Sequence, residues 1–171
     1  MPLTTKICGL SESNQIQACI NHGANMCGYI LFYPKSHRNL NLDKAKELTS
    51  LKHSKYNVAV MVNPSRENLE SIKDFNFHYY QIYGNQKPDE INDIKQKYKV
   101  KIIKALTVET KVDILKYKIY EEVSDIILFD SKGYEQSLSF PHSLLDDVPK
   151  RVKKIKEFLI KIKKINENRT V

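Results

Sequence analysis

Cys8, Asp130 and Arg38 are the side chains of this chain whose types suit chemistry on a small polar substrate. A thiol takes up a proton only after it has ionised, and a nearby cation such as Lys6 or Lys132 would favour the thiolate. A carboxyl that is to donate a proton must first hold one, and an apolar surround promotes this by penalising the charge. Arg38 offers a planar fork for a substrate carboxylate. Together they would make a base, an acid and an anion clamp. Each also has a plainer reading: a buried small hydrophobe for Cys8, a loop cap for Asp130, a solvated loop charge for Arg38. The fold decides, by bringing the three together or leaving them apart.

The elements that must do this alternate along the chain. Short apolar or β-branched runs occupy 3–8, 26–32, 57–62, 77–82, 101–105 and 125–130, with starts roughly 24 residues apart, the length of one strand-helix unit. Between them, 11–22, 42–51, 66–75, 88–98 and 111–123 carry apolar residues at helical spacing, as in Ile16, Cys19 and Ile20, or Ile114, Leu115 and Ile119. Ser11, Asn41 and Ser65 suit N-caps, and Gly23 follows the first helix. Strands joined by helices make a parallel sheet with right-handed crossovers, either a doubly wound open sheet or a (β/α)8 barrel. In both, function sits where strands end and loops begin. Cys8 ends the first run, Arg38 lies in the loop after the second, and Asp130 ends the sixth.

Composition narrows the class. The chain has 171 residues, 41% of them hydrophobic and 28% charged, enough for one domain with a buried core. No window approaches a membrane span, and the N-terminus enters a strand-like run with no leader-type apolar region. Three cysteines without metal-type spacing suit reduced thiols in the cytoplasm, with Cys19 and Cys27 in the core. The net charge of +8 concentrates in residues 150–171, which hold nine Lys or Arg and two acids. The body is thus nearly balanced, and no nucleic-acid or membrane partner is expected. The spacing of Val152, Ile155, Phe158, Leu159, Ile162 and Ile165 predicts an amphipathic helix over 150–166 with a solvated lysine face. Tyr79, Tyr80 and Tyr83 alternate as packing residues, and His22, His53, His78 and His142 show no ligand spacing.

The motifs KICGL at 6–10, FYPKSHR at 32–38, VNPS at 62–65, QIYG at 81–84, KAL at 104–106 and FDSKG at 129–133 occur in that order at strand ends. In this they resemble the phosphoribosylanthranilate isomerase family of tryptophan biosynthesis, over residues 3 to about 145 and again in VKKIKEFLIKIKK at 152–164. The resemblance implies a TIM-type (β/α) barrel with an incomplete set of units. About six parallel βα units would fill 1–149, and 150–171 would form a basic C-terminal helix like the family's last barrel helix. It implies an Amadori rearrangement of N-(5-phosphoribosyl)anthranilate to 1-(2-carboxyphenylamino)-1-deoxyribulose 5-phosphate. In it Cys8 is the general base, Asp130 the general acid and Arg38 the binder of the anthranilate carboxylate, with no metal and no cofactor.

The chain departs from the family pattern at four places: His37 stands for a proline, Tyr83 for a histidine, Asn85 for an aspartate, and the glycine-rich loop shrinks to 133–138. No seventh or eighth strand is legible after Asp130, as if roughly 40 residues of a typical barrel were missing. The expectation is a lost phosphate grip, reduced or absent isomerase activity, and open sheet edges at the first and sixth strands. Such edges would also suit a non-catalytic partial barrel that self-associates into a homo-oligomer, or acts through its basic helix.

Overall fold

The computed structural model describes residues 4–131, 142–149, 152 and 156–158. Its order is β1 (Thr5–Cys8), α1 (Ser13–Asn21), β2 (Met26–Leu31), β3 (Asn39–Leu40), α2 (Leu42–Ser50), β4 (Tyr56–Val62), α3 (Arg66–Ile72) and β5 (Tyr79–Tyr83). It continues with α4 (Pro88–Tyr98), β6 (Lys101–Val108), α5 (Lys111–Leu115), α6 (Tyr117–Tyr120), β7 (Ile126–Ser131), a 3-10 turn (His142–Leu145) and β8 (Lys156–Phe158). The strands lie side by side as β7-β6-β5-β4-β2-β1-β8, with the short β3 on β2. Every pairing among the described residues is parallel.

The two faces of this sheet decide between the two architectures. One face packs with Ile16 and Cys19 of α1, Ala45 and Leu48 of α2, Leu69 and Ile72 of α3, Ile91 of α4, Ile114 of α5, and Tyr117 and Tyr120 of α6. The opposite face buries Cys8, Met26, Ile30, Val58, Val60, Tyr79, Ile103, Ala105, Ile126 and Leu128 against one another, with no helix over them among the described residues. A doubly wound sheet would need helices on both faces to exclude water. A sheet whose bare face is apolar must instead curl onto itself, so the six expected units form an incomplete TIM-type barrel.

Caps set the helix starts. The Asn41 side chain accepts from Lys44 N at 2.8 Å, and Ser65 and Asn68 cap α3 reciprocally. At α1 the cap is Glu12, one residue beyond the expected Ser11. Gln15 Oε1 reaches back to accept from the backbone N–H of Ser11 at 2.9 Å.

Three expectations are corrected. The single helix over 111–123 breaks at Lys116, and Leu115 and Ile119 are exposed while Tyr117 and Tyr120 are buried. Two tyrosines offer more area to the sheet than the aliphatic stripe, and Tyr120 also donates to Gln86 O at 2.9 Å. The 77–82 strand begins at Tyr79, because Phe77 turns into an aromatic cluster with Tyr29, Phe75 and Tyr80. The helix expected over 150–166 is contradicted where that span is described. Lys156–Phe158 is a strand pairing in parallel with Thr5, Lys6 and Ile7, and Val152 is buried. The rest of that span lies outside the described residues. The reason is the β1 edge, whose unpaired backbone groups are better satisfied by a strand than by a helix laid beside it. The open edge expected at the first strand is therefore covered.

Candidate active site

Side chains alternate along a strand, so the inward face of β1 carries Lys6 and Cys8 and that of β7 carries Ile126, Leu128 and Asp130. Cys8 is buried at the C-terminal end of β1, and Gly9, at φ +79°, turns the chain out of the strand. The backbone N–H groups of Gly9 and Leu10 both donate to Gly28 O, at 2.9 and 3.0 Å. Gly28 is the register partner of Cys8, and a Cβ there would stand 3.2 Å from both the Sγ and the Cα of Cys8. The missing side chain of Gly28 makes the space for the thiol, a role that sequence reading missed.

Arg38 reaches the same strand end. A Cβ on Gly9 would fall 2.6 Å from Arg38 Cδ and 3.2 Å from Nη1, so the arginine stem lies across the residue next to Cys8. The loop that delivers it is tied by Arg38 N to Ser36 Oγ at 3.2 Å and by Tyr33 N to Asn39 Oδ1 at 2.7 Å. His37, in the place where a proline was expected, is exposed.

Asp130 is half-buried at the C-terminal end of β7. Tyr83, two strands away at the end of β5, donates its hydroxyl to Asp130 Oδ2 at 2.9 Å. The same hydroxyl accepts from Gln81 Nε2 at 3.2 Å, and Gln81 is fully buried on the inward face. Gln81 Oε1 has no hydrogen-bond partner among the described residues. The packing expected of Tyr83 at the barrel mouth is present, together with a polar role that its alternation did not disclose. Lys132 and the loop over 133–138 lie outside the described residues.

The other candidates separate by face. Burial raises the Cys19 thiol, and pushes that of Cys27 up to about 12, which makes both unfit as bases. Lys6 is wholly buried on the inward face below Cys8. Lys104, the lysine of the KAL motif, points the opposite way. It is buried beneath the β5–α4 loop, donates to Gly84 O at 2.7 Å and Ile82 O at 3.3 Å, and lies 5.1 Å from the Tyr120 ring centre.

Burial pushes the Lys104 ammonium down to about 8 from an ordinary value of 10.5. Between those values the unfolded chain holds a proton that the folded chain has released, so the penalty is complete below pH 8 and relieved as pH rises. Urea melts of the wild type and Lys104→Met at pH 7, 8, 9 and 10 should show their stability difference shifting toward the wild type. The slope should approach about 1.4 kcal/mol per pH unit. A difference independent of pH would refute the assignment.

A curled, all-parallel sheet with helices outside and polar side chains at the C-terminal ends of its strands defines the class of (β/α)-barrel proteins. Within that class the chain belongs to the family described as N-(5'phosphoribosyl)anthranilate (PRA) isomerase, which it matches over residues 5–159. An N-(5'-phosphoribosyl)anthranilate isomerase of Afipia carboxidovorans is 33% identical over 135 residues, covering 78% of this chain and 57% of that protein. The chain thus spans about three fifths of the length of the curated relatives it matches. Among solved structures, phosphoribosyl anthranilate isomerase from Thermotoga maritima superposes with a TM-score of 0.79 at 24% identity, covering 92% of this chain and 78% of that one. A second, in complex with reduced 1-(O-carboxyphenylamino)-1-deoxyribulose 5-phosphate, superposes with a TM-score of 0.73 at 19% identity, covering 95% and 89%.

Proposed function

We propose that this chain carries out the isomerisation for which its family is named, the Amadori rearrangement of N-(5-phosphoribosyl)anthranilate, in the reducing cytoplasm. Asp130 gives a proton to the furanose ring oxygen as the anilino nitrogen lone pair opens the ring to an iminium. Cys8, as thiolate, then removes the proton from C2, and the C2–H electron pair forms the enamine that tautomerises to the ketone product. Arg38 holds the anthranilate carboxylate, and one acid with one base meets the proton balance without a cofactor. The observation that carries the reading is the common inward face and common mouth of Cys8 and Asp130, with Arg38 laid across Gly9 beside them.

Complementation of a tryptophan auxotroph lacking this isomerase tests the proposal, with Cys8→Ala and Asp130→Asn as controls. Growth that either control abolishes supports it. No growth by the unmodified chain at normal expression, together with no turnover by the pure protein, overturns it.

The arginine clamp makes a separate prediction. Arg38→Ala should raise KM about 10- to 100-fold through loss of a charge-assisted contact, with a smaller change in kcat. Gly9→Ala should reproduce the KM effect, because its methyl would collide with Arg38 Cδ and its φ of +79° disfavours any side chain. Steady-state kinetics on both variants checks this, and an unchanged KM in Arg38→Ala removes Arg38 from the substrate site.

Among the described residues the strands with an unpaired edge are β7 and β8, which are the ones through which a second copy would pair, since β1 and the strands between are paired on both sides.

A further inference from the structure

The Tyr83 hydroxyl spans from β5 to the Asp130 carboxyl on β7, across β6. A phenol has one proton to give. Its oxygen here accepts from the Gln81 amide, and an amide Nε2 can only donate, so the single proton points at Asp130 Oδ2. Gln81 is buried and cannot exchange this partner for water. Three groups thus form a chain of one polarity, from amide to phenol to carboxyl.

We infer that Tyr83 is a positioning residue for the acid step, donating to the Asp130 carboxyl as negative charge develops there and making it the stronger proton donor. The inference deepens the isomerase reading and rests on it. As the proton leaves Asp130 for the ring oxygen, the hydrogen bond from Tyr83 becomes charge-assisted and shortens the climb to the transition state. The same bond restrains the carboxyl rotamer. The described strands place few other groups on this face. On β7 the inward neighbours are Ile126 and Leu128, and on β6 they are Ala105 and Thr107, the latter its register partner. On β1 the inward ionisable groups are Lys6 and Cys8.

The sign follows. A donor to the carboxylate favours its ionised form, so removing the donor raises the pH at which Asp130 titrates. In Tyr83→Phe, carboxyl-carbon NMR should move the Asp130 midpoint up by about one to two pH units. The alkaline limb of kcat/KM should move with it, while kcat at the optimum falls about tenfold. Gln81→Leu, which keeps Tyr83 but releases its hydroxyl, should give a smaller shift in the same direction.

An Asp130 midpoint that is unchanged in Tyr83→Phe overturns the inference whatever the rates do. A fall in kcat with no movement of the limb also overturns it, since loss of packing alone would produce that. If the wild type itself fails to turn over substrate, the isomerase reading fails and takes the catalytic role with it. The titration still decides separately whether Tyr83 sets the carboxyl.

Discussion

Cys8→Ala is expected to lose about 10³-fold or more in kcat with KM within about twofold of the wild type. The variant removes one sulfur from a buried position beside Gly28, where the backbone is already held by Gly9 and Leu10 donating to Gly28 O. Little else in the site should move, so the loss reports the missing base. Asp130→Asn should fall to a similar level for the complementary reason. Its amide oxygen can still accept from Tyr83, but the side chain has no acidic proton for the ring oxygen. Cys19→Ala serves as the control, because that thiol lies among the helix-facing core residues and burial keeps it protonated. Steady-state kinetics on pure proteins decides the matter. Wild-type rates in Cys8→Ala would remove the thiol from the mechanism.

The largest expected stability loss lies at the opposite, helix-facing side of the sheet. Phe77 is 8% exposed, with its ring centre 6.2 Å from Tyr29, 6.3 Å from Phe75 and 6.3 Å from Tyr80. Phe77→Ala should cost about 3–5 kcal/mol, from lost transfer energy, the cavity left behind and the broken edge-to-face pairs. For a domain of this size that is a Tm lower by about 10 °C or more. Val112→Ala, at a position 69% exposed, should change stability by less than about 0.5 kcal/mol. Thermal melts of the two variants against the wild type provide the check. A Phe77→Ala protein that melts with Val112→Ala would show that the aromatic cluster is not a core.

The strand-helix rhythm could be read from the sequence because most of the strands are short and largely apolar, and the stretches between them repeat apolar residues at helical spacing, three of them with a start signal. Such local patterns depend on near neighbours in the chain. The places where reading failed are places where distant partners compete. The pattern over 111–123 suits one continuous helix, yet Tyr117 and Tyr120 take the buried positions because the sheet surface has room for rings. The pattern over 150–166 has helical spacing, yet Lys156–Phe158 pairs with β1, whose free edge is presented only once the strands of the sheet have assembled.

The site divides in the same way. Residue type and position at strand ends were enough to select Cys8, Asp130 and Arg38, since a thiol, a carboxyl and a guanidinium are scarce in such places and chemically complementary. Their identity and order along the chain were set by the sequence alone. Only the tertiary structure decided that Lys104 faces the helices while Lys6 faces the interior, that Gly28 vacates space for the Cys8 sulfur, and that Tyr83 and Gln81 support Asp130. These depend on which face each strand position takes and on the register between strands. A shift of one residue reverses every side chain on a strand, and what settles the register is the burial of one whole face against another.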